Sequence, residues 1–257
     1  SVKKLSKINL TKGRAATAVF FSGSLVAIGF FIPATQLLFW TLDYWKNVWD
    51  ADFINLLFNS FSLAATSASV CALMAIFLAY SKREFKNKAA HTSAGIAGIG
   101  YAVPGTVIAI GVLIPAAWLD NRLDYLSILY LDMPIGLLLS GSMTILVFAY
   151  LVRFLSISLN TMDSGLSAIK PGLDESARSL GASKKNVLTK IHIPILKTSV
   201  LTAFLLVFVE VMKELPTTLI LRPFNFNTLA VKTYELASDE RLLGAALPAL
   251  CIVMISL

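Results

Sequence analysis

Three ionisable residues stand inside one apolar stretch: Glu210, Lys213 and Glu214, between Phe204 and Leu221. An ionised group near the centre of a bilayer costs about 2.5–3.5 kcal/mol on insertion scales, so such residues face a bundle interior or a water-filled path. The spacing i, i+3, i+4 predicts that all three share one helix face, with Lys213 able to pair with Glu210 while Glu214 stays close. Pro216 frees the carbonyl of Met212, a distortion tolerated where it lines a cavity. The trio therefore reads either as the border of a translocation path or as a structural ion pair. Other chemistry is sparse. His91 and His192 lie far apart, Cys71 and Cys251 form no CxxC, and no metal site is assigned. No P-loop pattern occurs, and no His/Asp or Ser/His constellation falls at membrane depth. The chain reads as a protein without a catalytic site of its own.

The elements that must hold these residues are membrane helices. Of 257 residues 56% are hydrophobic and 14% charged, with a mean hydropathy of +0.74. Soluble domains carry about 25% charged residues, so an all-α polytopic bundle is expected. Six apolar runs approach the length of about 20 residues that a spanning helix needs. They cover roughly 15–40, 56–80, 92–118 (broken by Pro104-Gly105 and Pro115), 134–155, 198–221 and 243–257. The last is short for a span. It reads as truncated, and with Ser1 in place of a Met the chain reads as a piece of something longer, a single domain over 1–257. Gly95, Gly98, Gly105 and Gly111 offer small surfaces for helix packing in the third run.

Net charge is +7, but its placement speaks for topology rather than nucleic acid. With the N-terminus in the cytoplasm, sixteen of the 22 basic residues fall on that side, among them Lys12, Lys86, Arg153 and Lys184, and five fall outside. The outer loops are acidic, with Asp120, Asp124 and Asp132. Trp40, Tyr44, Trp45, Trp49 and Trp118 suit an aromatic belt at the outer interface.

One cytoplasmic loop, about 156–197, is long enough to carry structure. Pro171-Gly172 opens a helix, and Asp174 and Arg178 are spaced for a pair. Gly181 stops that helix, Ser183 caps a second over Lys184–His192, and Pro194 ends it. Within this loop Glu175-Ser176-Ala177, then Gly181, then Ile191-His192-Ile193-Pro194 resemble the EAA motif of binding-protein-dependent ABC importer permeases. Ser176 and Ile193 replace the motif's Ala and Leu. The resemblance implies a type I importer permease fold of about six transmembrane helices. It implies that Glu175, Ser176, Ala177, Gly181, Ile191 and Pro194 form the coupling element that docks on an ATP-hydrolysing subunit, and that His192 fills the motif's variable position. ATP and Mg would be used by the partner subunits, with no cofactor bound by this chain.

A second resemblance bears on substrate. Val211–Thr218, Leu221–Asn225 and Tyr101–Val107 are similar to ferric-iron importer permeases, which commonly carry two homologous halves in one chain; this sequence resembles the second half. Thiamine and polyamine permeases share much of the pattern. The implied partners are ATP-binding cassette subunits, a second permease half and an extracytoplasmic binding protein, in a bacterial inner membrane. A rival of another class is an ion-coupled secondary transporter using Glu210, Lys213 and Glu214 as its relay; nothing in its mechanism calls for the Glu175–Pro194 element.

Overall fold

The computed structural model describes residues 11–84 and 88–257, with the side chains of all of these except 89–91, 171 and 185. His91, Lys86 and the basic residues before position 11 therefore lie outside the described side chains. Twelve α-helices are formed among the described residues: α1 (Lys12–Val26), α2 (Ile32–Tyr44), α3 (Ala51–Glu84), α4 (Lys88–Ala97), α5 (Gly105–Leu131), α6 (Met143–Ser167), α7 (Pro171–Ser179), α8 (Lys184–Val187), α9 (Ile193–Met212), α10 (Pro216–Leu221), α11 (Leu229–Ser238) and α12 (Leu242–Ser256). Five helical stretches are long and apolar enough to cross a membrane: Lys12–Asn47, Ala51–Glu84, Gly105–Leu131, Met143–Ser167 and Leu188–Met212; Leu242–Ser256 is shorter.

The centre of the bundle is the mutual packing of α3, α6 and α9. α3 turns a stripe of small residues inward, with Ala64, Ala68, Cys71, Ala75 and Ala79 all buried. Small side chains let helix backbones approach where lipid supplies no hydrophobic drive for association. Tyr150 and Phe154 of α6 and Val207 and Met212 of α9 fill the remaining space. α5 reaches the centre through α6 and α10, while α12 packs against α2 and α11. α1 buries none of its residues.

Several expected boundaries move. α6 begins at Met143 with Ser142 as its N-cap and runs to Ser167, so Arg153, expected in the loop, sits within a membrane-length helix. The third run is not one kinked span. It divides at Val103-Pro104, where the proline cannot continue the preceding turn, and α5 then extends to Leu131. Asp120, Arg122 and Asp124 are therefore helical rather than loop residues. Gly95 and Gly111 face open space; of the four glycines, Gly105 alone meets another helix closely.

The two aspartates hold the segment that turns back from α5 to α6. The fully buried Asp120 accepts hydrogen bonds from the backbone N–H of Leu138 (3.1 Å), Leu139 (2.8 Å) and Ser140 (2.6 Å). Asp124 accepts from Ile135 (2.9 Å) and Gly136 (2.8 Å), at an exposed position. Unpaired buried donors cost about 1–3 kcal/mol, whereas exposed ones turn to water. Asp120→Ala should therefore lower the thermal unfolding temperature in detergent clearly more than Asp124→Ala; equal or reversed effects would contradict this assignment.

Candidate functional site

Among the polar assemblies of the described residues, two involve α6. The first surrounds the trio singled out in the sequence, which the fold does not keep on one face. α9 ends at Met212, and the chain breaks over Lys213–Leu215 before Pro216 opens α10. Lys213 pairs with Glu210 at 2.8 Å, its side chain 49% exposed. Glu214 turns the other way. It is buried, and its carboxylate lies 3.5 Å from Arg153 Nε of α6. Sequence spacing presumed a continuous helix past Met212. The proline and the demands of Glu214 prevent it.

Around Glu214 the polar groups interlock. Its Oε1 accepts from the backbone N–H (3.3 Å) and hydroxyl (2.7 Å) of Thr217. Its carbonyl accepts from Thr218 Oγ1 at 2.7 Å, which commits that hydrogen, so the Tyr150 hydroxyl is the donor in its 2.5 Å contact with Thr218 Oγ1. Arg153 Nη1 donates to the carbonyl of Val103 at 3.3 Å. Gly105 sits against this cluster: a Cβ there would come within 2.5 Å of Arg153 Nη1, 2.6 Å of Glu214 Oε1 and 2.7 Å of Thr217 Oγ1. Glycine is required by space, not by dihedral. Arg153 was read as a loop cation and the two threonines only as part of the resemblance over Val211–Thr218, and Tyr150 was not singled out; none of the four was placed at this site.

The second assembly fastens the α7–α8 loop to the end of α3. Arg83 donates to Asp174 Oδ2 (2.9 Å) and to the carbonyls of Leu166 (2.5 Å) and Ile169 (3.0 Å). It thereby adds a donor to carbonyls at the end of α6, where a cation also suits the helix dipole. Glu84 receives Arg178 (2.5 Å) and Lys184 (3.0 Å). The expected Asp174–Arg178 pair does not form, since each finds a partner on α3 instead. His192 is fully buried, with Nε2 2.7 Å from Asp174 Oδ1 and its ring edge-on to Tyr80. It is a structural anchor of this loop, a use that the motif's variable position concealed. Tyr80 adds a hydrogen bond to the carbonyl of Lys184 at 2.9 Å.

The motif residues lie on this frame. Gly181 has φ +83°, and its N–H bonds to the carbonyl of Arg178 while that of Ala182 bonds to Ala177. This is the Schellman arrangement, which places a left-handed residue just past a helix end. Asn186 N–H bonds to Ser183 Oγ, so Ser183 caps α8 as expected. Pro194 does not end the second helix. One wide, π-type turn over Leu188–His192 absorbs it, and the helix continues as α9. The loop is correspondingly shorter than expected, since only 168–183 lies outside the two long helices. Glu175 and Ser176 are exposed beside a cavity of about 770 Å³, lined by both signs of charge from Lys82, Arg83, Glu84, Asp163, Asp174 and Arg178. Leu180 is 89% exposed and Leu173 about half exposed.

A helix–glycine–helix element presenting leucines, braced on a bundle of broken membrane helices, has known counterparts. Residues 71–257 match the family described as binding-protein-dependent transport system inner membrane component. The chain belongs to this family. It is a multi-pass membrane protein and a permease, and its relatives are permease subunits rather than ATPases. It is 24% identical over 250 residues to the Fe(3+)-transport system permease protein FbpB 2 of Haemophilus influenzae, covering 96% of this chain but 46% of that protein. The chain thus spans about half the length of that relative. It is equally 24% identical over 260 residues to PhnV of Salmonella typhimurium, a permease named for 2-aminoethylphosphonate transport, covering 96% of this chain and 91% of PhnV. Among solved structures, a bacterial alginate ABC transporter crystallised with its alginate-bound periplasmic protein contains a similar chain. That match has a TM-score of 0.77, 14% identity, and coverage of 95% and 91%. The expected type I importer permease fold is thereby shown.

The loop frame yields a pH expectation. Burial pushes the Asp174 carboxyl upward, but the hydrogen bonds and charges of His192 and Arg83 outweigh it and hold it below its ordinary value. A lowered carboxyl contributes stability that is present above the unfolded value, about 3.9, and is lost as pH falls through the folded one. Attachment of α7 should therefore hold at neutral pH and weaken only below about pH 4. Asp174→Asn should loosen the loop by about 1–3 kcal/mol at pH 7, by stranding buried donors. Hydrogen exchange over residues 171–192 measures this. Unchanged protection in the variant would contradict the clamp.

Proposed function

We propose that this permease carries ferric iron from an extracytoplasmic binding protein to the cytoplasm, driven by separate ATP-hydrolysing subunits that dock on the α7–α8 element. The observation that carries the reading is that element itself: Leu173, Leu180 and the left-handed Gly181 are presented outward while α3 braces them from behind through Arg83 and Glu84. Exposed leucines on a rigid backing suit an apolar partner cleft and have no use in a secondary transporter. In this reading the α7 end faces the cytoplasm, in line with the excess of lysine and arginine there. A second permease half completes the path.

Support for iron comes from Val211–Thr218 and Leu221–Asn225 and from similarity to the Haemophilus permease along nearly the whole chain. The equal identity to PhnV favours 2-aminoethylphosphonate as the second reading. Proteoliposomes holding the complete transporter, its ATPase subunits and its binding protein separate the two by uptake of radiolabelled ferric iron against labelled phosphonate.

In this account the path is bordered by Glu210 and Lys213, whose pair is half open, while Glu214 stands behind it with Arg153. Two variants test the reading. Leu180→Asp, which disturbs neither a hydrogen bond nor the turn, should abolish substrate-stimulated ATP hydrolysis while the chain still inserts. Glu210→Gln combined with Lys213→Met removes a pair without stranding a charge, which is often tolerated structurally. It should leave assembly intact and stop uptake. Normal coupling in the first or normal uptake in the second would overturn the corresponding assignment.

A further inference from the structure

Two membrane helices of this chain are interrupted, at Val103-Pro104 and at Lys213–Leu215, and both interruptions meet the same turn of α6. Arg153 is the residue that touches both. Its Nη1 donates to the Val103 carbonyl at the first break, and its Nε faces the Glu214 carboxylate at the second across 3.5 Å. Thr217 bridges them as well, with its hydroxyl 2.7 Å from Glu214 Oε1 and 3.4 Å from the carbonyl of Gly105. Tyr150, one turn away on α6, reaches Thr218 beyond the second break. Backbone groups freed by a break at membrane depth need partners from neighbouring helices; Arg153 supplies one to the Val103 carbonyl at the first break and faces the Glu214 side chain at the second.

The junction is also incompletely satisfied. Arg153 Nε is buried without a hydrogen-bond acceptor, although a carboxylate lies just beyond bonding distance. A small displacement of Glu214 toward α6 would complete that bond. The two side chains thus face each other without a direct hydrogen bond between them.

We propose that Arg153 is the positioning residue of the transport cycle: by joining the α4–α5 break to the α9–α10 break, it makes the two broken helices move as one unit and carries the Glu210–Lys213 pair with them. The inference rests on the permease reading above and adds to it a residue outside both the docking element and the path pair. Arg153 touches no substrate in this account. It acts through Glu214 and the Val103 carbonyl.

The test uses the complete transporter in proteoliposomes and measures substrate imported per ATP hydrolysed, together with assembly. Arg153→Gln alone leaves Glu214 a buried unpaired carboxylate and would damage folding for that reason alone, so the decisive variant is the neutral pair Arg153→Gln with Glu214→Gln. A purely structural ion pair predicts that this double variant, like other neutral replacements of buried pairs, assembles and imports with ordinary yield. Positioning predicts that it assembles and hydrolyses ATP but imports about tenfold less per ATP, within the range that single residues contribute to coupling between sites. It also predicts that Arg153→Lys, which keeps the charge facing Glu214, recovers part of the yield. An ordinary yield in the double variant overturns the proposal, and so does failure of that variant to assemble or a lysine variant no better than glutamine. A wild-type complex without binding-protein-stimulated hydrolysis would instead contradict the permease reading itself.

Discussion

A broken helix inside a membrane is admissible only when something other than lipid satisfies the backbone groups it releases; here Arg153 of α6 takes the Val103 carbonyl at the first break, while Thr218 and Glu214 themselves satisfy the second. Tyr150 and Arg153 on its buried face reach the groups around both breaks. Toward its other end, the carbonyls of Leu166 in its last turn and of Ile169 just past it accept from Arg83. From Arg153 to Leu166 is about 20 Å along a regular helix. One rod thus connects the polar junction at membrane depth to the frame of the α7–α8 loop. α3 and α9 pack along α6 with small residues such as Ala68, Ala75 and Ala203, which let the backbones approach closely.

The loop end depends on charge rather than apolar burial. Arg83 and Glu84 are adjacent on α3, yet they serve different partners. Arg83 holds the start of α7 through Asp174, and Glu84 holds its last turn and the start of α8 through Arg178 and Lys184. Surface ion pairs are individually weak. Here the acidic partners are the better enclosed: the Glu84 side chain is 7% exposed, and Asp174 accepts from both an arginine and a buried histidine.

Much of this was legible in the sequence, and what was missed has identifiable causes. Composition and apolar runs gave the membrane bundle, and the Pro171-to-Gly181 pattern gave α7 and its stop, because cap chemistry is local and residue-specific. Helix ends near the membrane surface were not readable. The apolar run marks where lipid begins, whereas α6 continues to Ser167 and α5 to Leu131 through polar turns. The partner choices were hidden for a second reason. Glu210, Lys213 and Glu214 were grouped by helical spacing, but the break after Met212 rotated Glu214 away, and its partner lies sixty-one residues earlier in sequence. In the same way Asp174 is nearer in sequence to Arg178 than to Arg83, and the fold overrides that proximity. His192 looked like a free position because its partner, Asp174, is supplied by another helix.

The outward-facing α7–α8 loop, the connecting helix α6 and the two interrupted helices adjoin one another in the bundle. The claim on which the account rests is that the α7–α8 element meets the ATP-hydrolysing subunit. Site-directed crosslinking from Leu180→Cys in the assembled transporter tests it most directly, since that side chain is 89% exposed and stands beside Gly181. The account predicts a crosslink to the ATP-hydrolysing subunit whose yield changes when ATP is bound. No crosslink from position 180, with efficient crosslinking of the same subunit from exposed positions at the opposite end of the bundle such as 224, would contradict it.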